Sequence, residues 1–373
     1  MTSGPAFRRL LNPGPVALSD RVREAQLGPD LCHREVEFRD LFTEVRSGLL
    51  GVYPQAAGYQ AIVLTGSGTA AVEAMVSSLV PRTGRALVVA NGIYGERIAS
   101  MLMASGRAHK VVRSRWTEPL PLAAVERALD RDPGLTHALA VHHETTTGRL
   151  NDIGALAERC RARGVVLLLD VVSSFGGEAI GFADWEMAAC AGTANKCLHG
   201  VPGLSFVLVR SEILTAGATG ATSLYLDLYR HAEAQAGGYP LFTPAVQATY
   251  ALREALAELA EAGGWTARRA HYRELSGALR GGLQAQGVEL LLDDEAASGA
   301  TLTAFVLPGS LAFEEVAAGL KEKGFIIYPG QQSLREQIFR VAIMGALERA
   351  DVDEFLEAFA DVAGALAASR RDE

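Results

Sequence analysis

Between about residues 59 and 210, short apolar runs alternate with longer stretches in which apolar residues recur every three or four positions. The apolar runs are YQAIVL, ALVVAN, HALAVHH, VVLLLD and LSFVLV. Such runs are typical of strands buried on both faces, whereas the three-to-four spacing is typical of helices. The alternation therefore predicts an α/β fold with a mainly parallel central sheet flanked by helices.

A second pattern begins near residue 244. Residues 244–287 predict two long helices, separated at EAGGW, where paired glycines end the first helix. Strand-like segments TLTAFVL, GFIIYP and QIFRVAI follow, with helices at about 311–323 and from about 350. We therefore expect an N-terminal arm and helix over 1–58, a large domain over 59–260 and a smaller α/β domain over 261–373.

Composition narrows the functional classes. The 373 residues are 49% hydrophobic and 21% charged, as expected of an enzyme-sized globular chain. The net charge is −8 and basic residues are dispersed, which argues against a nucleic-acid partner. No apolar run approaches a membrane span, and no leader peptide is evident, so we expect a cytoplasmic location. The four cysteines lack metal-binding spacing, which argues against a disulfide framework and a structural metal.

The first chemical motif is the glycine-rich turn in VLTGSGTAAVEA. A predicted strand ends at Thr65 and a helix begins near Thr69, so backbone N–H groups and the hydroxyls of Ser67 and Thr69 would face an anion. This arrangement is a phosphate cup, although a turn needed only for packing remains an alternative. The letters also fit the dinucleotide pattern GxGxxA, but the next strand ends in Asn91 rather than an acidic residue, which disfavours nicotinamide binding.

Two further residues complete a pattern along the chain. The strand VVLLLD delivers Asp170 at its carboxyl end, where a buried carboxylate needs a cation such as a protonated pyridine nitrogen, or else makes a helix cap or turn. Lys196 lies among small residues in AGTANKCLHGVPG, a setting that favours a depressed pKa and attack on an aldehyde. A lone lysine is usually a surface charge; the order of phosphate cup, Asp170 and Lys196 favours the catalytic interpretation.

The chain resembles the class V, fold-type I aminotransferases that use pyridoxal 5′-phosphate (PLP). The similarity extends over nearly the whole chain, and the branch that acts on 2-aminoethylphosphonate is the most similar, with alanine–glyoxylate and serine–pyruvate enzymes related to it. The similar segments are LLNPGP, TGSGTAAVEA, NGIYGER, HHETTTGRLNDI, DVVSSFGG, ANKCLHGVPG, SLYLDLY, FTP, GFIIYPG and FRVAIMG.

The resemblance implies where the cofactor binds. Lys196 would form the Schiff base with the cofactor aldehyde. Ser67, Gly68 and Thr69 would hold the cofactor phosphate, and Thr243 would reach that phosphate from the other subunit of a homodimer whose active sites lie at the subunit interface.

The resemblance also assigns contacts to the cofactor ring. Asp170 would hold the pyridinium nitrogen, and Val172 would be a further cofactor contact. Tyr94 would stack on the ring, with a core aromatic as the alternative. Thr145 would donate a hydrogen bond to the phenolic oxygen, with a turn hydroxyl as the alternative.

Substrate contacts follow from the same resemblance. Arg340 would clamp the substrate anion, because a guanidinium pairs two oxygens at once, with a surface ion pair as the alternative. Pro13, Gly14 and Arg34 are the other expected substrate contacts. The segment 32–38 departs from the family pattern, so Arg34 and its neighbour His33 could instead cap the helix predicted over 34–50.

The implied reaction is transamination between a small amino donor and an oxo acid. In the most similar branch, 2-aminoethylphosphonate and pyruvate give phosphonoacetaldehyde and alanine, in either direction. Alanine–glyoxylate or serine–pyruvate exchange, or a related phosphonate or small amine, is the alternative. Cysteine desulfuration is disfavoured because no cysteine follows Cys197. A non-catalytic PLP-fold protein is disfavoured because Lys196 and Asp170 are both present.

Overall fold

The structure is a computed structural model that describes residues 9–215, 217, 220–294, 297–309 and 311–369. Within these residues the strands are β1 Arg9–Leu10, β2 Tyr59–Thr65, β3 Arg85–Ala90, β4 Ala108–Arg113, β5 Leu135–Val141, β6 His143–Glu144, β7 Arg149–Leu150, β8 Val166–Asp170, β9 Ala189–Thr193, β10 Leu204–Arg210, β11 Leu302–Val306, β12 Phe325–Ile326, β13 Tyr328–Pro329 and β14 Ile338–Ala342.

The helices alternate with the strands in the first part of the chain and dominate the second. They are α1 Asp20–Ala25, α2 Val36–Gly51, α3 Gly68–Leu79, α4 Ile93–Ala104, α5 Leu122–Arg131, α6 Ile153–Arg161, α7 Ser211–Thr215, α8 Leu228–Ala236, α9 Val246–Glu261, α10 Gly264–Ala285, α11 Phe313–Glu322 and α12 Arg349–Ser369. Short 3₁₀ turns lie at Pro54–Ala56 and Gln332–Leu334.

A seven-stranded sheet forms the centre of the molecule. Its strand order is β2-β10-β9-β8-β5-β3-β4, and only β10 runs antiparallel to its neighbours. The prediction of a mainly parallel sheet flanked by helices is confirmed. Because six strands share one direction, the carboxyl ends of β2, β8 and β9 meet at the same edge, and the turns that follow them converge there.

Helices cover both faces of this sheet, which explains why its strands are nearly continuous apolar runs. In β3, Leu87 and Val89 belong to one buried hydrophobic cluster, whereas Ala86 and Val88 belong to another on the opposite face. This alternation is the two-residue period of a strand buried on both sides. The sheet is therefore rigidly held, and its edge can position side chains for chemistry.

The C-terminal part has a smaller antiparallel sheet, β11-β14-β13, and its own hydrophobic cluster. The predicted strand GFIIYP is divided here, because β12 pairs with β1 whereas β13 pairs with β14. The parallel pairing of β1 with β12 also brings Leu11, Val16 and Ala17 into this cluster. The N-terminal segment therefore packs against the C-terminal part. No described helix is long and apolar enough to cross a membrane.

Candidate active site

The carboxyl edge of the large sheet brings together several of the predicted site residues. A small cavity lies between the start of α3, the start of α4 and the end of β8. Its lining residues are Gly68, Thr69, Val72, Tyr94, Arg97, Ile98, Met101, Asp170 and Val172. Five of these nine were predicted from the sequence as cofactor contacts.

The predicted phosphate cup is formed by the turn between β2 and α3. Ser67 is the N-cap of α3, but its hydroxyl does not cap the helix, so it is available to a ligand. A Cβ atom on Gly68 would lie 2.9 to 3.0 Å from both methyl groups of Val172. The backbone can come this close only because position 68 has no side chain, and unpaired N–H groups of the first helical turn remain to face an anion.

Asp170 ends β8 and is 94% buried, with only 6% of its surface exposed. Burial raises the pKa of its carboxyl to about 6, although the hydrogen bond from the Val172 N–H and the positive charges of Arg97 and Lys196 oppose the rise. That N–H donates to Oδ1 at 2.9 Å. No cation lies within ion-pair distance of Asp170 among the described residues, so the site can accept a positively charged group.

Lys196 follows β9 and is half-buried. Burial lowers the pKa of its amine to about 8, with smaller opposing contributions from Cys197 and Asp170. The N-terminal segment packs directly on this side chain: a Cβ atom on Gly14 would lie 2.8 to 2.9 Å from Cδ, Cε and Nζ. Gly14 also has a φ of +107°, which other residues rarely adopt. The site therefore contains an amine that is partly neutral near physiological pH.

The lowered pKa of Lys196 can be measured directly. With a pKa of about 8, roughly 10% of the amine is neutral at pH 7, against about 0.03% for an ordinary lysine. Competitive acetylation with trace acetic anhydride, read by mass spectrometry, should therefore give Lys196 a titration midpoint near pH 8. The same peptide in the urea-unfolded chain is the control and should titrate above pH 10. Equal midpoints in the folded and unfolded chains would contradict this prediction.

Thr145 and Arg340 lie together on the C-terminal side of the site. Thr145 is buried, and its carbonyl accepts a hydrogen bond from Nη1 of Arg340 at 2.8 Å. The Thr145 hydroxyl has no hydrogen-bond partner among the residues that the structure describes. The hydroxyl can therefore donate a hydrogen bond to a ligand oxygen.

Arg340 lies on β14 and is only 2% exposed. Neutral oxygens hold it in place: Nε donates to the Pro329 carbonyl at 2.9 Å, and Nη1 also donates to Oε1 of Gln331 at 3.3 Å. No carboxylate of the described chain lies within 4 Å of its guanidinium. The surface ion-pair alternative is therefore wrong, because Arg340 is a buried cation oriented by neutral groups.

Not every predicted residue reaches this site within the chain. Arg34 is exposed, and α2 begins after it with Glu35 as an N-cap whose side chain makes no capping bond. The alternative that His33 or Arg34 caps this helix is therefore not supported. Thr243 is also exposed, but it lies two residues before Ala245, whose N–H donates to the Thr65 hydroxyl at 3.2 Å. Thr243 is thus held near the end of β2 at an exposed position.

Sequence reasoning did not single out Glu144, which is fully buried beside the site. Its carboxylate accepts hydrogen bonds from the N–H of Tyr94 at 3.2 Å and from the hydroxyl of Thr146 at 2.6 Å. Burial raises the pKa of this carboxyl to about 7. Gly92 leaves the space for it, because a Cβ there would lie 2.2 Å from the Glu144 carboxyl carbon. Its position directly after the apolar run HALAVHH was the available sequence signal.

Comparison with known proteins is consistent with this geometry. The family model "Aminotransferase class-V" matches residues 24–355. The 2-aminoethylphosphonate–pyruvate transaminases of Vibrio vulnificus and Burkholderia thailandensis are 39% and 38% identical to the chain. These alignments cover 94% and 96% of this chain, and 96% of each relative.

Solved structures agree with the sequence comparison. An alanine–glyoxylate aminotransferase from Nostoc sp. superimposes with a TM-score of 0.90 at 27% identity, covering 97% of each chain. An aspartate aminotransferase from Thermus thermophilus gives a TM-score of 0.88 at 27% identity, covering 96% of this chain and 99% of that one. The family match spans most of the chain, and the relatives agree in length. The chain therefore belongs to the class V aminotransferases.

Proposed function

We propose that this aminotransferase uses PLP to exchange the amino group of 2-aminoethylphosphonate with the oxo group of pyruvate. The products are phosphonoacetaldehyde and alanine, and the reaction is reversible because it replaces one C–N and one C=O bond by the same bond types. The near full-length identity of 38 to 39% to transaminases named for this substrate pair supports the choice. Asp170 ends β8 and Lys196 follows the adjacent strand β9, and this placement at the sheet edge is the structural observation that supports the use of PLP.

The described residues fit the cofactor at both of its ends. Asp170 is a buried carboxylate without a cation, as a pyridinium nitrogen requires, and the Thr145 hydroxyl is free for the phenolic oxygen. The start of α3, with the uncapped Ser67 hydroxyl, suits the phosphate. When bound, PLP withdraws electrons from the substrate carbon that loses a proton. The proposed cofactor contacts are Ser67, Gly68, Thr69, Tyr94, Thr145, Asp170, Val172 and Lys196, with Thr243 from a second subunit.

Lys196 has two proposed tasks in this reaction. Its amine forms the covalent link to the protein, and once displaced it moves a proton from the carbon that bears the substrate amino group. Both tasks need the neutral amine, and burial lowers its pKa to about 8, which makes that form accessible near neutral pH. Gly14 lies against the amine and restricts where it can move.

Arg340 is the proposed clamp for the substrate anion. 2-Aminoethylphosphonate carries a phosphonate and pyruvate a carboxylate, so one buried guanidinium can bind each of them in turn. Its fixation by Pro329, Gln331 and Thr145 means that little side-chain freedom is lost on binding. Pro13, Gly14 and Arg34 remain proposed substrate contacts, and Gly14 is the one that lies beside Lys196.

A substrate panel tests the proposed function. Purified protein reconstituted with PLP should show an absorbance band that shifts when an amino donor is added. Among 2-aminoethylphosphonate, alanine and serine, each paired with pyruvate or glyoxylate, we expect the highest kcat/KM for 2-aminoethylphosphonate with pyruvate. The similarity to an alanine–glyoxylate aminotransferase makes that exchange the second candidate. A preference for alanine with glyoxylate would replace the proposal by this second function.

Arg340→Lys separates anion binding from the remaining chemistry. Lysine keeps the charge but cannot keep the three oriented donors, so kcat/KM for 2-aminoethylphosphonate should fall about 10- to 100-fold, ~1.4 to 3 kcal/mol. Ethylamine, which has no anionic group, should react equally slowly with both proteins. Arg335→Lys, at an exposed position near β14, is the matched control and should behave as wild type. An unchanged KM for the phosphonate in Arg340→Lys would reject the clamp.

A further inference from the structure

Arg97 is a charged residue of the site cavity to which the resemblance assigned no role. It lies on α4, three residues after Tyr94, so the two side chains share one face of the helix. The guanidinium carbon lies 4.7 Å from the centre of the Tyr94 ring. Nη1 lies 3.4 Å from the hydroxyl oxygen of Thr69, the last residue of the phosphate cup. Arg97 therefore extends from the aromatic side of the cavity to the phosphate cup.

No carboxylate in the described part of the chain pairs with Arg97 at ion-pair distance. The acidic neighbour Glu96 is engaged elsewhere, since its two carboxylate oxygens accept from Nε and Nη2 of Arg113 at 2.7 and 3.0 Å. Arg97 is thus a lining residue of the cavity whose guanidinium is not paired with a carboxylate of the described chain. Its guanidinium opposes the rise in the pKa of Asp170 that burial causes.

The charge balance of the phosphate cup is incomplete without such a cation. A phosphate monoester carries about −1.5 to −2 charges at neutral pH. The start of a helix offers roughly +0.5, and Ser67 and Thr69 are neutral hydroxyls. Arg340 already has a place on the other side of the site, beside Thr145. Arg97 is the guanidinium that lines the cup.

We propose that Arg97 binds the phosphate group of the cofactor, completing the cup formed by Ser67, Gly68 and Thr69. This inference rests on the proposed function, because it assumes that a PLP-type phosphate occupies the cup. The long contact from Nη1 to Thr69 is a weak hydrogen bond. A phosphate oxygen would provide a stronger, charge-assisted acceptor, and the face of Tyr94 would keep the guanidinium oriented toward it.

Reversible binding tests this assignment without any turnover. Pyridoxamine 5′-phosphate has no aldehyde, so its dissociation constant can be measured by calorimetry free of covalent attachment to Lys196. Inorganic phosphate is the competing ligand, and its competition with pyridoxamine 5′-phosphate reports the phosphate that occupies the cup. We expect Arg97→Gln to raise both the dissociation constant of pyridoxamine 5′-phosphate and the inhibition constant of phosphate at least tenfold. Arg97→Lys, which keeps the charge, should raise them less.

Arg349→Gln is the matched control. Arg349 is an exposed arginine on α12 that pairs with Asp353, so its loss should leave both constants unchanged. If Arg97→Gln weakens pyridoxamine 5′-phosphate but not inorganic phosphate, Arg97 acts on the ring through Tyr94 and the assignment is wrong. Unchanged constants for both ligands would also overturn it. If the wild-type chain itself fails to bind pyridoxamine 5′-phosphate, the proposed function fails as well, which distinguishes the two cases.

Discussion

Lys196→Ala is expected to lower kcat by about 10³-fold or more, equivalent to ~4 kcal/mol of barrier. The change removes the amine that forms the covalent link and the base that moves the substrate proton, and general acid–base catalysis alone accounts for about 10²- to 10⁴-fold. The phosphate cup and Asp170 remain, so the variant should still bind the cofactor. Steady-state assays and the absorbance of the dialysed protein measure the two effects separately.

Two further measurements make the Lys196 result specific. A small primary amine such as methylamine, added to Lys196→Ala, should restore part of the proton transfer because it can occupy the vacated space. Lys321→Ala, at an exposed position on α11, is the control and should keep wild-type activity. Lys196→Ala with more than a tenth of wild-type kcat would remove Lys196 from the mechanism.

Asp170→Asn is expected to lower kcat/KM at least a hundredfold, ~2.7 kcal/mol. Asparagine keeps the shape and can still accept the hydrogen bond from the Val172 N–H, but it carries no charge to keep a ring nitrogen protonated. Without that proton the cofactor stabilises negative charge on the substrate carbon poorly. The effect should therefore appear in the chemical step, which a deuterium label on the reacting carbon of the substrate would report as an increased isotope effect.

A cofactor analogue methylated on the ring nitrogen shows whether Asp170→Asn loses activity through the missing charge at that nitrogen or through a disturbed fold. Its positive charge is permanent, so it should restore part of the activity of Asp170→Asn while giving wild type no advantage. Asp152→Asn is the control, because Asp152 caps α6 from an exposed position and asparagine is an equally good cap. A loss below threefold in Asp170→Asn, less than ~1 kcal/mol, would show that Asp170 does not hold the nitrogen.

The local sequence predicted most of the scaffold because its strands are buried on both faces. An apolar run that ends in a single acid, as in VVLLLD, predicted both β8 and the position of Asp170 at its end. The glycine turn before α3 and the small residues around Lys196 could also be recognised from the sequence. A close approach of the backbone to another group requires residues with small side chains or none. The prediction of a mainly parallel α/β sheet was correct.

What the sequence did not predict depends on pairing between distant segments. The antiparallel direction of β10 and the division of GFIIYP between two sheets follow from partners that local periodicity does not reveal. Arg97 was missed because a charged residue near a helix start is usually solvated, and Glu144 was missed because its burial on β6 depends on segments distant in the sequence. Their places at the site can be recognised only from the contacts that the fold creates, in which Glu144 accepts from the Tyr94 N–H and Arg97 lies against the Tyr94 ring. Thr243 and Arg34 stay predictions, since their proposed contacts involve a second subunit or a loop that lies apart from this site.

The pairing of β1 with β12 has a consequence for how the enzyme is made on the ribosome. Gly14 contacts Lys196 from a segment that is anchored at Leu11 by residues late in the chain. The Leu11 N–H donates to the Ile326 carbonyl at 2.9 Å, and the Leu11 carbonyl accepts from the Ala342 N–H at 2.9 Å. During synthesis, the beginning of the chain must therefore wait for more than 300 further residues to emerge before it can cover the amine. Until then Lys196 lacks the cover that Gly14 provides in the complete fold.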